Sequence, residues 1–130
     1  MIVQRNNLTS TGVPAPASAF SSGVDADSVV FVSGQLGIDI GTGRVPDDVR
    51  AETRLVIEYI KAILAEAKLT LDHVAKTTVY VTDFVDYKAI NEVYAAYFQA
   101  PYPARATVKV AGLLADARVE IEAIAVRTGT

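Results

Sequence analysis

The chain has 130 residues, 15 acidic against 12 basic side chains for a net charge of −3, and no cysteine. That is the size of one domain, enough to bury a core without a metal or disulfide to hold it. The missing cysteine removes disulfides, thiol nucleophiles and thiolate metal sites together, and an acidic balance with no basic block argues against a nucleic-acid surface.

Hydrophobic residues make up 51% of the chain, in short runs such as VVFV. None comes near the roughly 18 consecutive apolar residues of a membrane span, so no membrane association is expected. So apolar a composition leaves more apolar surface than a small monomer hides easily, which predicts an oligomer. The opening MIVQRNNLTS lacks the apolar core of a signal peptide and predicts a cytoplasmic protein.

In chain order, Met1 to Gln4 is a short β-like start, followed by a Ser/Thr/Pro/Ala-rich loop through Pro14 and Pro16. SAFSSGV leads to a polar turn, Asp25-Ala26-Asp27-Ser28, and then to VVFVSG, whose β-branched and aromatic residues predict a buried hairpin strand. In GIDIGTGRVP a Gly-Thr-Gly turn joins short extended pieces. From about Asp47 to Lys68, Val49, Val56, Ile60, Ile63, Leu64 and Ala67 recur at helical steps, and Asp47 and Asp48 sit where carboxylates favour a helix N-terminus. VAKTTVYVT predicts a strand. Asp83 is placed to cap a second helix over Phe84 to Phe98, with Asp86 in its first turn. That helix buries Ile90, Val93, Tyr94 and Tyr97, and Pro101 and Pro103 prevent its continuation. Strands are also predicted over about Ala104 to Val110 and Val119 to Val126. The order β-β-β-α-β-α-β-β predicts a single α+β domain over residues 1–130, a mixed sheet with both helices on one face. The other face then needs a cover, which a second subunit would supply.

His73 is the lone histidine, with no second histidine or cysteine to make a ligand set, so a surface or packing role is expected and no metal. The glycines of SGQLG and GTG lack phosphate-cradle spacings and are expected in turns. Asp47, Asp48, Glu52, Glu58 and Glu66 fall where helices and loops want solvated charge. VEIEAIAV is the exception: period two puts Glu120 and Glu122 on one face with Ile124 and Val126, and Val119, Ile121, Ala123 and Ala125 on the other. In PARATVKV the same period puts Arg105, Thr107 and Lys109 on one face, with Ala106, Val108 and Val110 opposite. Were these two strands neighbours, Arg105 and Glu120 would stand close. The pair could be an exposed cross-strand ion pair worth a few tenths to about 1 kcal/mol. It could instead be a small-anion site, the guanidinium gripping a carboxylate through two parallel hydrogen bonds while the glutamate accepts from water or an amine. Periodicity leaves both open.

The segments VVFVSGQLGID, TGRV, ETRLVIEYIKAILAEAKLTLDHVAKTTVYVTDF, INEVYAAYF, PARATVKV and VEIEAIAV, in that order, cover nearly the whole chain. Together they resemble the Rid family, the reactive intermediate deaminases of the YjgF type. The resemblance implies a chorismate-mutase-like fold and a homotrimer whose sheets line a central core, with helices outside and ligand clefts between subunits. It implies hydrolysis of 2-imino acids, tautomers of the enamines released by PLP-dependent dehydratases, to 2-keto acids and ammonia, without metal or organic cofactor.

Carried over by position, Arg105 would bind the substrate carboxylate and Glu120 would hold the attacking water. Gly34 and Thr107 stand where the family's backbone contacts the ligand, and Asn91 matches an asparagine at the cleft. A protonated imine is already electrophilic, so water needs positioning more than activation. An arginine beside Glu120 would lower its pKa and keep it ionised.

Many members have GPYSQ where this chain has Ser18-Ala19-Phe20-Ser21-Ser22, so Phe20 replaces a tyrosine that faces the ligand. The ring still walls the pocket, but a hydrogen bond worth about 1 kcal/mol is lost, which implies weaker activity or a bulkier, more apolar substrate. Thr107 stands where some members carry cysteine. Two other readings compete: a metabolite-binding or chaperone-like trimer without turnover, and an endoribonuclease or translation inhibitor, which the acidic balance opposes.

Overall fold

Three strands open the computed structural model, which describes residues 4–127: β1 (Asn6–Leu8), β2 (Gly23–Ala26) and β3 (Val29–Leu36). Gln4 is not in a strand, so the first strand begins later than expected, and Met1 to Val3 lie outside the described residues. Ala26 pairs with Val29 across a two-residue hairpin. Asp27 adopts the positive φ of 72° that a primed turn requires, its N–H donating to Asp25 Oδ1.

The Gly-Thr-Gly turn is present, with Gly43 at φ 72° and Asp39 Oδ1 accepting from the N–H groups of Gly41 and Thr42. The extended pieces expected around it are not strands; residues 37–48 form a loop.

The remaining elements are α1 (Val49–Glu66), β4 (Val74–Val81), α2 (Tyr87–Tyr97), β5 (Ala104–Lys109) and β6 (Val119–Val126). Asp48 caps α1, its side chain accepting from Arg50 N–H. Asp83 does cap, but it caps a single tighter turn, Phe84–Asp86, and α2 proper starts only at Tyr87. His73 plays the expected local role, its Nδ1 accepting from Thr70 N–H at 3.1 Å.

The six strands form one mixed sheet in the order β1-β2-β3-β6-β4-β5. Only β4 and β5 run parallel, because α2 carries the chain back between them. β6 inserts between β3 and β4, pairing antiparallel with both. Its Val119, Ile121, Ala123 and Ala125 join Val30, Val32, Val79 and Val81 against the apolar stripes of both helices, among them Ile57, Ile60, Ile63 and Leu64 of α1 and Ile90 and Tyr94 of α2. Both helices thus cover one face. The other face carries Phe31, Val108 and Val126, each more than 40% exposed, in the same layer as Glu120 and Glu122.

Glu52 departs from expectation. It is fully buried, with Oε2 accepting from the backbone N–H groups of Arg118 (2.7 Å) and Val119 (3.3 Å) and Oε1 from Arg118 Nε (2.7 Å). The remaining Arg118 nitrogens donate to the carbonyls of Asp47 and Pro46. Gly37 lies so close that a Cβ there would stand 2.4 Å from the Glu52 carbonyl oxygen. One carboxylate therefore ties the first turn of α1 to the loop before it and to the start of β6. Arg127 closes the opposite end, gripping Asp25 through two bonds of 2.7 and 2.8 Å and donating to Ala67 O.

Both anchors can be weighed by stability measurements. Glu52→Ala leaves two backbone N–H groups without their acceptor and strands a guanidinium that is 30% exposed, so urea unfolding is expected to show a loss of about 3 kcal/mol; a loss below about 1 kcal/mol would mark Glu52 as an ordinary surface charge. The Asp25 carboxyl is held below its usual value first by the hydrogen bonds from Arg127. A depressed carboxyl stabilises the fold above its unfolded pKa and ceases to as pH falls through the lower folded value. Asp25→Asn should accordingly melt below wild type at pH 7, the difference closing as pH drops below about 4.

Candidate active site

Arg105 lies on β5, the edge strand, opposite Thr77 of β4, which in turn pairs with Ala123 of β6. That register puts its side chain on the helix-covered face. Its guanidinium is held on three sides. Nε donates to Thr107 Oγ1 and Nη1 to Asn91 Oδ1, both at 2.9 Å, while Cζ lies 4.6 Å from the centre of the Tyr94 ring and 5.7 Å from that of Tyr87. Tyr94 is fixed in turn by a 2.7 Å hydrogen bond with Thr77 Oγ1 and by stacking on Phe98 at 4.4 Å. Burial pushes the Tyr94 hydroxyl's pKa up, so it keeps its proton.

Nη2 is buried without any hydrogen-bond partner, the only such side-chain nitrogen or oxygen among the described residues. A buried donor left unpaired costs about 1–3 kcal/mol. An arriving carboxylate would remove that cost, and with Nε already engaged it would meet the guanidinium end-on, at Nη2 and the second Nη1 hydrogen.

Glu120 occupies the opposite face. It pairs with Leu36 of β3 and Tyr80 of β4. A register shift between Val32 and Gln35 brings Gly34 against it, so close that a Cβ at Gly34 would lie 2.5 Å from Glu120 Oε2. Two residues along the same face, Glu122 accepts a hydrogen bond from the Tyr80 hydroxyl. Burial, and after it the charge of Glu122, pushes the Glu120 pKa up. Within one chain the expected arginine is not there to depress it: no guanidinium stands beside Glu120 among the described residues, and a second carboxylate does.

Phe20 lies in the loop before β2 and is 54% exposed. That loop is fastened to β3 by Ser33, whose hydroxyl donates to Ser21 O at 2.6 Å and whose N–H donates to Ser22 O at 2.9 Å. Phe20 and Gly34 line the same cavity.

The six residues singled out from sequence thus fall into two groups. Arg105, Asn91 and Thr107 converge at the β5 edge under α2, whereas Phe20, Gly34 and Glu120 gather on the open side of the sheet. β5 and β6 are not neighbours, since β4 lies between them, and the pleat turns Arg105 and Glu120 to opposite faces. This excludes a cross-strand ion pair between them in one chain. Tyr87 and Tyr94 were missed as partners of the arginine, although Tyr87, Asn91 and Tyr94 are spaced at helical steps of four and three and so form one stripe. Tyr80 gave no signal in the sequence, because its partner Glu122 is 42 positions away.

The model of the family described as endoribonuclease L-PSP matches residues 11–127 of this chain. The chain belongs to this family, that of the Rid/YjgF reactive intermediate deaminases. It is 45% identical over 118 residues to TdcF of Escherichia coli, covering 88% of this chain and 92% of that one. It is 42% identical over 123 residues to the 2-iminobutanoate/2-iminopropanoate deaminase of Salmonella typhimurium, covering 92% and 96%. The crystal structure of E. coli TdcF with bound serine matches with a TM-score of 0.90 at 42% identity, covering 95% of this chain and 99% of that one. That of the E. coli YjgF gene product matches with 0.90 at 39%, covering 95% and 99%. No helix among the described residues is long and apolar enough to cross a membrane.

The electrostatics of the open face can be measured directly. Carboxyl carbon shifts recorded by NMR across a pH titration should place the Glu120 pKa above that of an ordinary glutamate. Glu122→Gln should lower it only part of the way, because burial is the larger cause; a Glu120 titrating below the ordinary value would contradict this arrangement.

Proposed function

We propose that the protein hydrolyses 2-imino acids to 2-keto acids and ammonia, in clefts between the subunits of a homotrimer. The observation that carries this reading is the Arg105 guanidinium. It is immobilised by neutral acceptors and a tyrosine face, and it keeps a buried, unpaired Nη2 for an anion. A planar cation held this way suits a substrate carboxylate better than a point charge would.

The substrate binds Arg105 through its carboxylate, which fixes the adjacent C2 of the protonated imine. A water accepted by Glu120 attacks C2; the C–O bond forms, the C=N bond becomes single, and the water's proton passes to Glu120. Returned to nitrogen, that proton makes ammonia the leaving group; the C–N bond breaks as the new hydroxyl gives its proton to Glu120 and becomes the keto oxygen, and that proton leaves with ammonia as ammonium. Water and the imino acid supply every atom of the keto acid and ammonia, so the step as written calls for no metal or organic cofactor. Within one chain burial and Glu122 raise the Glu120 pKa, which favours it as a proton acceptor. Its role is therefore widened from orienting the water to carrying the proton.

Because Arg105 and Glu120 face opposite ways in one chain, a cleft that uses both takes Arg105 from one subunit and Glu120 from the next. The open face with exposed Phe31, Val108 and Val126 supports such neighbours, since covering it removes apolar area from water. A second reading, a metabolite-binding trimer without turnover, draws support from Phe20, which lacks a hydroxyl to offer the ligand. Ribonuclease activity, which the family description names, is opposed by a net charge of −3 with no basic stripe. A cytoplasmic setting goes with the proposed reaction, where dehydratases release its substrates.

The test generates 2-aminoacrylate with a serine dehydratase and monitors keto-acid release. Arg105→Ala and Glu120→Ala should each abolish the acceleration while light scattering still reports a trimer. A 1:1 mixture of these two variants equilibrated by subunit exchange should recover about one quarter of wild-type activity, the fraction of all interfaces with both residues intact. Undiminished activity in Arg105→Ala would sink the proposal, and no recovery in verified mixed trimers would sink the shared cleft.

A further inference from the structure

Next to Gly34, which abuts Glu120, opens a cavity of about 270 Å³ whose walls are mostly carbon, with Pro14, Pro16, Phe20, Leu36, Ile38 and Leu114 lining it beside Ser18 and Ser22. Gly34 also lines it and joins it to the carboxylate, since the space where its Cβ would be is taken by Glu120 Oε2, and Leu36 is the β3 partner of Glu120. The side-chain amide of Gln35, which also lines it, is turned to Ser33 O at 3.0 Å and is itself buried. Two of the walls are costly to leave in water: Phe20 is 54% and Leu114 79% exposed. Leu114 opens a short turn in which Ala115 (φ 59°) and Asp116 (φ 54°) both take left-handed backbone, a conformation aspartate tolerates but alanine adopts at a cost.

We propose that this cavity receives the side chain of the imino acid, and that the protein prefers 2-imino acids with branched apolar side chains over those with a methyl group. The proposal rests on the deaminase reading above. If Glu120 holds the water that attacks C2, the substituent on C2 must lie within a few bond lengths of Glu120, and the cavity is the apolar space there. A methyl group would leave most of it empty. Each further methylene placed in it should multiply kcat/KM about fourfold, up to the limit set by shape. Phe20 fits the same account: a ring without a hydroxyl makes an uninterrupted apolar wall, where a phenol would place an oxygen against the side chain.

The test compares the imines released from leucine and from alanine by an amino-acid oxidase, with kcat/KM measured for each. The expected ratio favours the isobutyl imine by about tenfold or more. Leu114→Ser, a change at an exposed position that leaves the core untouched, should lower that ratio about fourfold. Calorimetric titration with the two product keto acids reads the same cavity without turnover, and the isobutyl keto acid should bind the more tightly. If both imines are hydrolysed but the methyl one equally well or better, the side-chain site is overturned and the deaminase reading stands. If neither imine is accelerated, the deaminase reading falls; a branched keto acid binding no tighter than pyruvate would then overturn the cavity assignment as well.

Discussion

The pleat of the β4–β6 pair is the constraint on which the rest depends. Successive side chains in a strand point to opposite faces. Once Val119, Ile121, Ala123 and Ala125 are committed to the core, Glu120 and Glu122 have only the open face left. The same rule acts through β4 on β5. Thr77 lies opposite Ala123 on the core side and opposite Arg105 across the parallel pairing, so the arginine is directed under α2 rather than out to solvent. Shifting β6 by one residue would turn Glu120 and Glu122 into the core and expel Val119, Ile121, Ala123 and Ala125 from it, a cost no compensating contact here could offset. The placement of the candidate site is thus inherited from the packing of the core.

The charged groups divide by whether the chain neutralises them. Glu52 with Arg118 and Asp25 with Arg127 are matched pairs, each carboxylate meeting a guanidinium at 2.7 Å. They join elements far apart in sequence, and nothing is left over for a ligand. Arg105 is treated differently: its partners are an amide oxygen, a hydroxyl and a tyrosine ring, none of which cancels its charge, and one nitrogen is left bare. Glu120 is the converse, a carboxyl whose ionisation is discouraged by burial and by Glu122. One half of the proposed cleft wants an anion and the other can hold a proton. That is what a carboxylate substrate undergoing hydrolysis requires of two neighbouring subunits.

The existence and type of nearly every element were legible in the sequence, because periodicity reports which residues share a face. The alternation of VEIEAIAV and the stripe from Val49 to Ala67 both have direct counterparts in the core. Misplacements occurred where periodicity is short or interrupted: the first strand at Asn6–Leu8, the loop 37–48, and the tight turn before Tyr87. Glu52 was misjudged because a glutamate in the first turn of a helix is already explained by the helix dipole. Nothing local shows that Arg118, 66 positions later, arrives to meet it.

The site shows where sequence and tertiary structure part company. By itself, the sequence determined which residue faces what within each strand and helix, and its resemblance to the Rid family singled out Phe20, Gly34, Asn91, Arg105, Glu120 and Thr107. Those are properties of local geometry and residue type. Only the tertiary structure decided that β4 separates β5 from β6, that Arg105 and Glu120 look away from each other, and that within the chain Glu120 has Glu122 rather than an arginine as its charged neighbour. Strand order and electrostatic environment depend on contacts between residues distant in the chain, and period-two alternation is blind to both.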